Sequence, residues 1–329
     1  MTERWLVTGG AGFIGSQLVD LLLRRGDQVV VVDDFSAGSV DNLPSFGNGP
    51  RLSVRKADVT NAASLAAAMA TVSGVFHCAA TVRIQDCIDD WFGAHATNAT
   101  ATIRLFEIAQ RKGNLPVVYA SSAAVYGNRS GEICHEDLPV GPVSPYGADK
   151  LACENHARAF WQVHRLPTAG LRLFNVYGPR QTVASSYSGV LAQFGRNWQT
   201  GRPHVVFGDG LQSRDFVYVS DVVAGMAAAM DRLHQTPQCL VSNICTGRSV
   251  SILDLLAIFE RVAGRPLPGP IEFRPARAGE IRNSQGGTTR MAELLGLRRT
   301  VKLEDGLRTY LASLKHSALD VMPLVQVAE

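Results

Sequence analysis

Short apolar runs alternate with stretches of helical pattern through the first half of the chain. The runs have the length of β-strands and cover residues 4–8, 28–32, 51–55, 73–77, 116–120 and 167–173. The stretches between them predict helices near 12–25, 61–70, 97–112 and 147–164. Because this alternation is typical of parallel strands with helices on both faces, the pattern predicts an α/β fold with a doubly wound parallel sheet.

The second half of the chain has a less regular pattern after about residue 175, with more glycine and proline. This change predicts a smaller C-terminal α/β lobe that closes over the first domain. Residues 214–232 have the pattern of a strand followed by a helix, so the chain is expected to return to the first domain around 214–246. We therefore predict a first domain at 1–173, a second lobe at 174–329, and an extension without an assigned role at 316–329.

Composition narrows the class of protein. The chain has 329 residues, 46% of them hydrophobic and 19% charged, which is typical of a soluble globular protein with room for two lobes. A net charge of +3 without a dense Lys/Arg block gives no indication of a nucleic-acid partner.

The six cysteines lack C-x-x-C and metal-ligand spacing, which predicts free thiols and no bound metal. Because neither a signal peptide nor a membrane-length apolar run is found, we expect a cytoplasmic protein without a membrane partner.

A glycine-rich turn follows the first predicted strand directly. Gly9 permits a tight strand-to-helix turn, Gly12 lets a pyrophosphate approach the backbone, and Gly15 lets the helix and strand pack closely. The second predicted strand ends in Asp33, whose carboxylate can accept both ribose hydroxyls of NAD and would repel the extra phosphate of NADP. The alternative is a glycine-rich turn without a ligand. The context favours a Rossmann-type site for NAD.

A tyrosine and a lysine lie one helical turn apart at Tyr146 and Lys150, just after Pro145. A nearby ammonium favours the phenolate form of a tyrosine, which can then act as a base. Ser121 and Ser122 follow a predicted strand, at the edge where open α/β sheets bind ligands. The Tyr/Lys pair alone could be an ordinary surface pair. In this order behind a dinucleotide turn, the three features predict a catalytic site.

These features together resemble a known family, the extended short-chain dehydrogenases/reductases that act on nucleotide sugars, and the UDP-glucose 4-epimerase group in particular. The resemblance covers roughly residues 3 to 312. Its landmarks are Thr8–Gly15, Asp33, Asp58-Val59, Cys78–Ala80, Asn98, Ser121–Gly127, Tyr146, Lys150, Phe174–Arg180, Phe207–Gly210, Arg214–Phe216 and Arg277–Glu280.

The resemblance implies a role for each candidate residue. Residues implied to bind NAD are Gly9, Gly12, Phe13, Ile14, Gly15, Asp33, Asp58, Val59, Ala79, Ala80, Asn98, Tyr146 and Lys150. Tyr146 is implied to be the base, Lys150 its partner, and Ser122 the residue that binds the reacting sugar oxygen. Residues implied to bind the UDP-sugar are Ser122, Asn175, Val190, Val205, Phe207, Arg214, Arg277 and Ser284. An ion pair of Arg214 or Arg277 with a neighbouring carboxylate is the alternative for those two residues.

The implied reaction is 4-epimerisation of a UDP-hexose through a transient 4-keto sugar. Sugar 4,6-dehydratases of this family carry an acidic pair after the strand-end serine or threonine, where this chain has Ala123 and Ala124, so dehydration is disfavoured. A bulky aromatic residue at the position of Ser284 restricts related pockets to unmodified hexoses. A serine there therefore predicts room for UDP-N-acetylglucosamine and UDP-N-acetylgalactosamine beside UDP-glucose and UDP-galactose, unless Ser284 is merely a loop residue.

The chain also departs from the family pattern. The loop after Ala80 carries Arg83 and Cys87 near the expected sugar position, and Arg83 could select a UDP-uronic acid or simply pair with Asp86. Other open alternatives are a decarboxylase, a reductase, epimerisation at another carbon, and a non-catalytic NAD-binding protein. The last would be expected to have lost the Tyr, Lys or Ser that are all present.

The family further implies a homodimer built from the helices near 97–112 and 147–164. The apolar residues that could form its contact face, or could equally be core residues, are Ile103, Phe106, Ile108, Ala157, Phe160 and Trp161.

Overall fold

The computed structural model describes residues 2–43, 50–129, 131–181, 189–276 and 281–319. Its strands are β1 Arg4–Thr8, β2 Gln28–Asp33, β3 Leu52–Lys56, β4 Gly74–His77, β5 Val117–Ser122, β6 Thr168–Leu173, β7 Asn175–Tyr177, β8 Val205–Phe207, β9 Ser213–Tyr218, β10 Cys239–Ile244, β11 Ser249–Ser251 and β12 Glu272–Arg274. Its helices are α1 Phe13–Arg24, α2 Ala62–Ala68, α3 Ile84–Asp89, α4 Trp91–His95, α5 Ala101–Arg111, α6 Pro145–His164, α7 Val190–Thr200, α8 Val219–Gln235, α9 Ile252–Ala263, α10 Thr289–Leu295 and α11 Leu303–Leu319.

A seven-stranded sheet with the order β3-β2-β1-β4-β5-β6-β10 forms the centre of the first domain. Every pair in it is parallel. The strand order reverses between β1 and β4, and open α/β sheets bind ligands in the crevice at such a switch point. The predicted α/β fold with a doubly wound parallel sheet is confirmed.

The buried valines of β2 explain why this sheet gives continuous apolar runs in the sequence. Val29 and Val31 pack into the core on one face, whereas Val30 and Val32 pack into the core on the other. Successive side chains of a strand point to opposite faces, so a strand covered on both sides needs apolar residues at every position.

Helix α6 begins at Pro145, two residues before the predicted start at 147. The hydroxyl of Ser144 accepts a hydrogen bond from the backbone N–H of Gly147 at 3.1 Å. Proline fits the first turn of a helix because its missing N–H has no partner there anyway. This capping fixes the start of the helix that carries Tyr146 and Lys150.

The second lobe contains a small sheet of β7, β9 and β11 and a pair of β8 with β12. Helices α7, α9 and α11 pack around its core, which includes Phe194, Trp198, Phe259 and Tyr310. Helix α8 packs against α1, and β10 lies beside β6 at the edge of the central sheet. No helix within the described ranges is long and apolar enough to span a membrane.

Candidate active site at the switch point

The glycine turn after β1 has the backbone shape of a phosphate cradle. Gly9 has a φ of +64°, and a Cβ added there would lie 2.7 Å from the backbone nitrogen of Ala79. Gly12 caps α1 without a side-chain hydrogen bond, and the first turn of α1 contains no acidic residue. Among the residues that the structure describes, a Cβ on Gly12 would meet only the carbonyl of Gly9 within contact distance, so its outer side is open to them. The uncapped N–H groups and the helix dipole can therefore bind a pyrophosphate there.

The carboxylate of Asp33 is fixed at the end of β2, next to this turn. It accepts hydrogen bonds from the backbone N–H of Ala11 at 2.9 Å and of Phe35 at 2.8 Å. Burial raises the pKa of Asp33, while the two backbone hydrogen bonds lower it. Each carboxylate oxygen has a further lone pair, so the group can accept the two hydroxyls of a ribose in this position.

The two serines at the end of β5 have different environments. Ser121 is buried, and its hydroxyl donates to Glu154 at 2.6 Å, where Glu154 also pairs with Arg172 at 2.7 Å. Ser122 is half-buried and its Oγ accepts from the N–H of Ala124 at 3.1 Å, which begins the 3-10 turn Ala123–Tyr126. The hydroxyl proton of Ser122 is therefore available to a substrate oxygen, whereas that of Ser121 is committed to the core.

Tyr146 and Lys150 lie together on the first two turns of α6. The ammonium nitrogen of Lys150 is 5.6 Å from the centre of the Tyr146 ring. Lys150 is 3% exposed, and no carboxylate of the described residues forms an ion pair with it. Burial lowers the pKa of His77 and raises the pKa of Cys78, both at the carboxyl end of β4, and the charge of Lys150 acts to lower the pKa of each. Within the described ranges, Lys150 is thus a buried cation without a counter-charge, one helical turn from Tyr146 at the switch point.

A buried hydrogen-bonded chain runs beneath this edge through His77, which the sequence analysis missed. Nδ1 of His77 lies 2.7 Å from Thr8 Oγ1, and Nε2 lies 2.9 Å from Thr102 Oγ1. The Thr102 hydroxyl donates to the carbonyl of Asn98 at 2.6 Å, so it accepts from His77 and Nε2 must carry the proton. Burial lowers the pKa of His77 to about 3, which keeps the ring neutral. The sequence signal that could have revealed His77 is a single polar residue at the end of an otherwise apolar strand.

The amide of Asn98 holds the loop that follows β4. Its Oδ1 accepts from the N–H of Thr81 at 2.8 Å, and its Nδ2 donates to the carbonyl of Thr81 at 2.9 Å. Asn98 lies in a π-helical turn, Ala96–Thr100, before α5. Asn98 therefore positions the backbone beyond Ala79 and Ala80, both half-buried at the crevice.

The other predicted cofactor residues lie around the same edge. Phe13 and Ile14 form the first turn of α1. Asp58 is exposed and accepts from the N–H of Thr60 at 2.7 Å, whereas Val59 is buried.

The predicted substrate residues of the second lobe lie on several elements. Val205 and Phe207 are half-buried and share one side of β8, with Val206 buried between them. Asn175 is exposed at the start of β7, and Val190 is the first residue of α7.

Ser284 lies close to Arg214. The N–H of Ser284 donates to the carbonyl of Ser213 at 3.1 Å, and that carbonyl also accepts from Arg214 Nη1 at 2.9 Å. Arg277 lies outside the described residues.

The atypical loop residues have local partners. Arg83 precedes α3 and its Nε lies 2.7 Å from the carboxylate of Asp86. Cys87 is fully buried, and its thiol donates to the carbonyl of Thr81 at 3.4 Å. Cys87 is thus a core residue, and all six cysteines are free thiols. The described residues contain no cluster suited to a metal ion.

Some of the residues predicted to form a dimer face belong to the core instead. Phe106 and Ala157 are fully buried within the described chain, and Ile108 is 8% exposed. Trp91 and Phe92 on α4 are instead 61% and 84% exposed. Val82, Ile84 and Ile88 nearby are also exposed.

The chain is similar to known proteins over most of its length. The chain is 37% identical over 313 residues to the UDP-glucose 4-epimerase of Mycolicibacterium smegmatis, covering 92% of this chain and 96% of the relative. The structure of UDP-N-acetylglucosamine 4-epimerase from Methanobrevibacter ruminantium, in complex with UDP-N-acetylmuramic acid, superposes with a TM-score of 0.90 at 29% identity over 96% of this chain and 99% of that chain. UDP-glucose 4-epimerase from Thermotoga maritima, with UDP-glucose, has a TM-score of 0.88 at 30% identity over 96% and 99%.

The profile of the NAD dependent epimerase/dehydratase family matches residues 5–245, which is most of the chain and includes the glycine turn, Ser122, Tyr146 and Lys150. The chain belongs to the NAD-dependent epimerase/dehydratase family.

Proposed function

We propose that the protein interconverts the 4-epimers of a UDP-hexose, with NAD as its resident cofactor. The observation that carries this proposal is the meeting of three features at one edge of the sheet: the open glycine cradle at Gly12, the free hydroxyl proton of Ser122, and the buried Lys150 beside Tyr146. The likeness to a UDP-glucose 4-epimerase over nearly the whole chain supports the same reaction.

The cofactor would be held by the glycine turn and α1 at its pyrophosphate, by Asp33 at its adenosine ribose, and by Lys150 at its nicotinamide ribose. Asp58 and Val59 would lie against the adenine. When bound, NAD supplies reversible oxidation at a sugar carbon.

Tyr146 would take the proton of the sugar 4-hydroxyl on its phenolate oxygen and return it after the sugar has turned. The ammonium of the buried Lys150 would stabilise negative charge on the Tyr146 oxygen, since the two side chains lie close together. Ser122 would donate its hydroxyl proton to the reacting oxygen and so fix the oxygen close to the base.

Dehydration of the sugar is disfavoured by the turn after β5. Removal of a proton from C5 and loss of the C6 hydroxyl need an acid and a base beside the sugar. The residues after Ser122 are Ala123 and Ala124, whose methyl groups can perform neither role.

The nucleotide would bind to the second lobe. We propose that residues 1–173, with α8 and β10 of the predicted return at 214–246, hold the cofactor, and that the rest of 174–329, including β9, holds the nucleotide sugar. The proposed contacts are Val205 and Phe207 on the uracil, Asn175, Arg214 and Arg277 on the diphosphate, and Val190 and Ser284 nearer the sugar. Guanidinium groups suit a diphosphate because they can bind it through two parallel hydrogen bonds.

The sugar is proposed to be glucose or N-acetylglucosamine. Ser284 has a small side chain, which is the reason to include a sugar with an N-acetyl group. Arg83 already has a carboxylate partner in Asp86, which weakens the case for a uronic acid at that position. Solved structures of similar proteins include enzymes named for each of the two proposed sugars.

We also propose a cytoplasmic homodimer. The free thiols suit a reducing compartment. The exposed apolar side chains of Trp91 and Phe92 lie on α4, which packs against α6, so a second copy could cover them together with the outer faces of α5 and α6. Light scattering after size exclusion distinguishes a dimer of about twice the 35.4 kDa chain mass from a monomer.

Replacement of the proposed base tests the function. Tyr146→Phe should lower kcat for UDP-glucose by about 10²- to 10⁴-fold, the usual contribution of a positioned base, while UDP and NAD still bind. Tyr310→Phe is the matched control, because the buried Tyr310 hydroxyl has no partner in the described chain and lies in the second-lobe core. Normal turnover by Tyr146→Phe would refute the mechanism.

A further inference from the structure

An extended segment, residues 282–287, crosses from the second lobe to the first domain; we refer to it as the strap. At its start the strap pairs with Ser213, the first residue of β9. The N–H of Ser213 donates to the carbonyl of Arg282 at 2.9 Å, and the N–H of Ser284 donates to the carbonyl of Ser213 at 3.1 Å. The same Ser213 carbonyl accepts from Arg214, so the strap begins beside a proposed diphosphate ligand.

A two-point ion pair closes over this end of the strap. The guanidinium of Arg282 donates to both carboxylate oxygens of Asp209, at 2.7 and 2.8 Å. These bonds, with a backbone hydrogen bond from Leu211, lower the pKa of Asp209 to about 2. Asp209 follows Phe207, the proposed uracil contact, after a single glycine with a φ of +69°. The ion pair therefore ties the strap to the turn that leaves the nucleotide site.

The other end of the strap is bonded to the first domain and to β9. The N–H of Gly286 donates to the buried carboxylate of Asp215 at 3.2 Å. The carbonyl of Gln285 accepts from the N–H of Cys134, and the N–H of Gly287 donates to the carbonyl of Cys134, both at 2.8 Å. This end is thus held on one side by the Asp215 carboxylate and on the other by two backbone hydrogen bonds with Cys134.

From Cys134 the connection continues to the serine turn. The side-chain Nδ2 of Asn243 donates to the carbonyl of Cys134 at 2.8 Å, and its Oδ1 accepts from the hydroxyl of Tyr126 at 2.7 Å. Tyr126 is the last residue of the 3-10 turn that Ser122 caps. A continuous series of hydrogen bonds and backbone segments therefore joins the strap beside Arg214 to Ser122, the proposed ligand of the sugar oxygen.

We propose that the strap sets the span between the nucleotide site and Ser122, and that Arg282 is a positioning residue that acts through Asp209. The inference rests on the proposed function, because it assumes that one UDP-sugar occupies both sites. Lobes joined within one chain move relative to each other unless contacts hold them, and a binding site that is no longer held in place loses affinity for its ligand. Release of Arg282 frees the strap at its nucleotide end while the far end stays bonded.

The test compares three variants by the dissociation constant of UDP, from calorimetry, and by KM and kcat for UDP-glucose. In Arg282→Gln, both the dissociation constant and KM should rise about three- to fivefold, the effect of one exposed ion pair, with kcat changed less than about twofold. The charge swap Asp209→Arg with Arg282→Asp should restore most of the loss. Arg261→Gln is the control, because it removes another exposed ion pair of the lobe, with Glu304 at 3.2 Å, away from the strap.

Two results would overturn the proposal. Wild-type UDP affinity and KM in Arg282→Gln would show that the ion pair does not position the nucleotide site. A charge swap as impaired as the single variant would show that Arg282 does not act through Asp209. If the wild type binds UDP and leaves UDP-glucose unchanged, the proposed reaction fails, yet the UDP dissociation constants still decide the role of the ion pair.

Discussion

Acid should destabilise the folded protein through His77, and replacement of this residue should remove that part of the pH dependence. His77 is 3% exposed and accepts from Thr8 through Nδ1 while it donates to Thr102 through Nε2. A proton added to Nδ1 would break the first of these bonds and bury a charge near the Lys150 ammonium. The neutral ring is therefore strongly favoured in the folded state.

The magnitude follows from the pKa of His77, which burial lowers from 6.5 to about 3. Because the folded pKa is below the unfolded one, the unfolded chain binds the proton first as the pH falls. The contribution of His77 to stability is thus full above pH 6.5 and is lost as the pH falls towards 3. The slope is about 1.4 kcal/mol per pH unit, so the free energy of unfolding should fall by about 2 to 3 kcal/mol between pH 6.5 and 4.5 from this group alone.

Urea unfolding of the wild type and His77→Gln, at several values between pH 7.5 and 4.5, measures this loss. At pH 7.5 the variant should be less stable by about 2 to 4 kcal/mol, since it loses buried hydrogen bonds and a well-packed ring. The difference should narrow towards pH 4.5, because the variant has no proton to take up at this site. His156→Gln, at an exposed histidine of α6, is the control and should leave the slope unchanged. Parallel curves for wild type and His77→Gln would refute the reasoning.

Three further substitutions test other parts of the site. Gly9→Ala should lower the melting temperature and the amount of NAD that copurifies, since its Cβ would lie 2.7 Å from Ala79 N at a φ of +64°; unchanged values of both would contradict the cradle. Glu154→Gln leaves Arg172 buried without its counter-charge and should cost about 3 to 5 kcal/mol in urea unfolding. A loss below about 1 kcal/mol would show that this ion pair is not essential. Ser284→Tyr should reduce kcat/KM for UDP-N-acetylglucosamine at least about tenfold relative to UDP-glucose; an unchanged ratio would remove Ser284 from the sugar pocket.

The central strands β1, β2, β4 and β6 were predictable because they are buried on both faces. The first predicted run, 4–8, coincides with β1, and the run 28–32 is one residue shorter than β2. The glycine turn and the Tyr146/Lys150 pair were predictable for a different reason, since each depends on residues a few positions apart. Spacing over a few residues can be recognised in the sequence without knowledge of the fold.

Short or non-local features were not predictable in the same way. Helices α3 and α4 have only 6 and 5 residues, too few for a helical period to repeat. The contacts of His77 reach residues 69 and 25 positions away, and the Arg282–Asp209 pair spans 73 positions. No spacing rule connects such residues, because the fold alone brings them together.

The most direct test of the central claim is a proton NMR experiment on the purified protein without added NAD. UDP-glucose, UDP-N-acetylglucosamine and UDP-glucuronate are incubated separately, and the anomeric signals are recorded. We expect a second anomeric signal with the coupling pattern of the 4-epimer for UDP-glucose, UDP-N-acetylglucosamine or both. Unchanged spectra for all three sugars, even after NAD is supplied, would contradict the claim that this site is a UDP-sugar 4-epimerase.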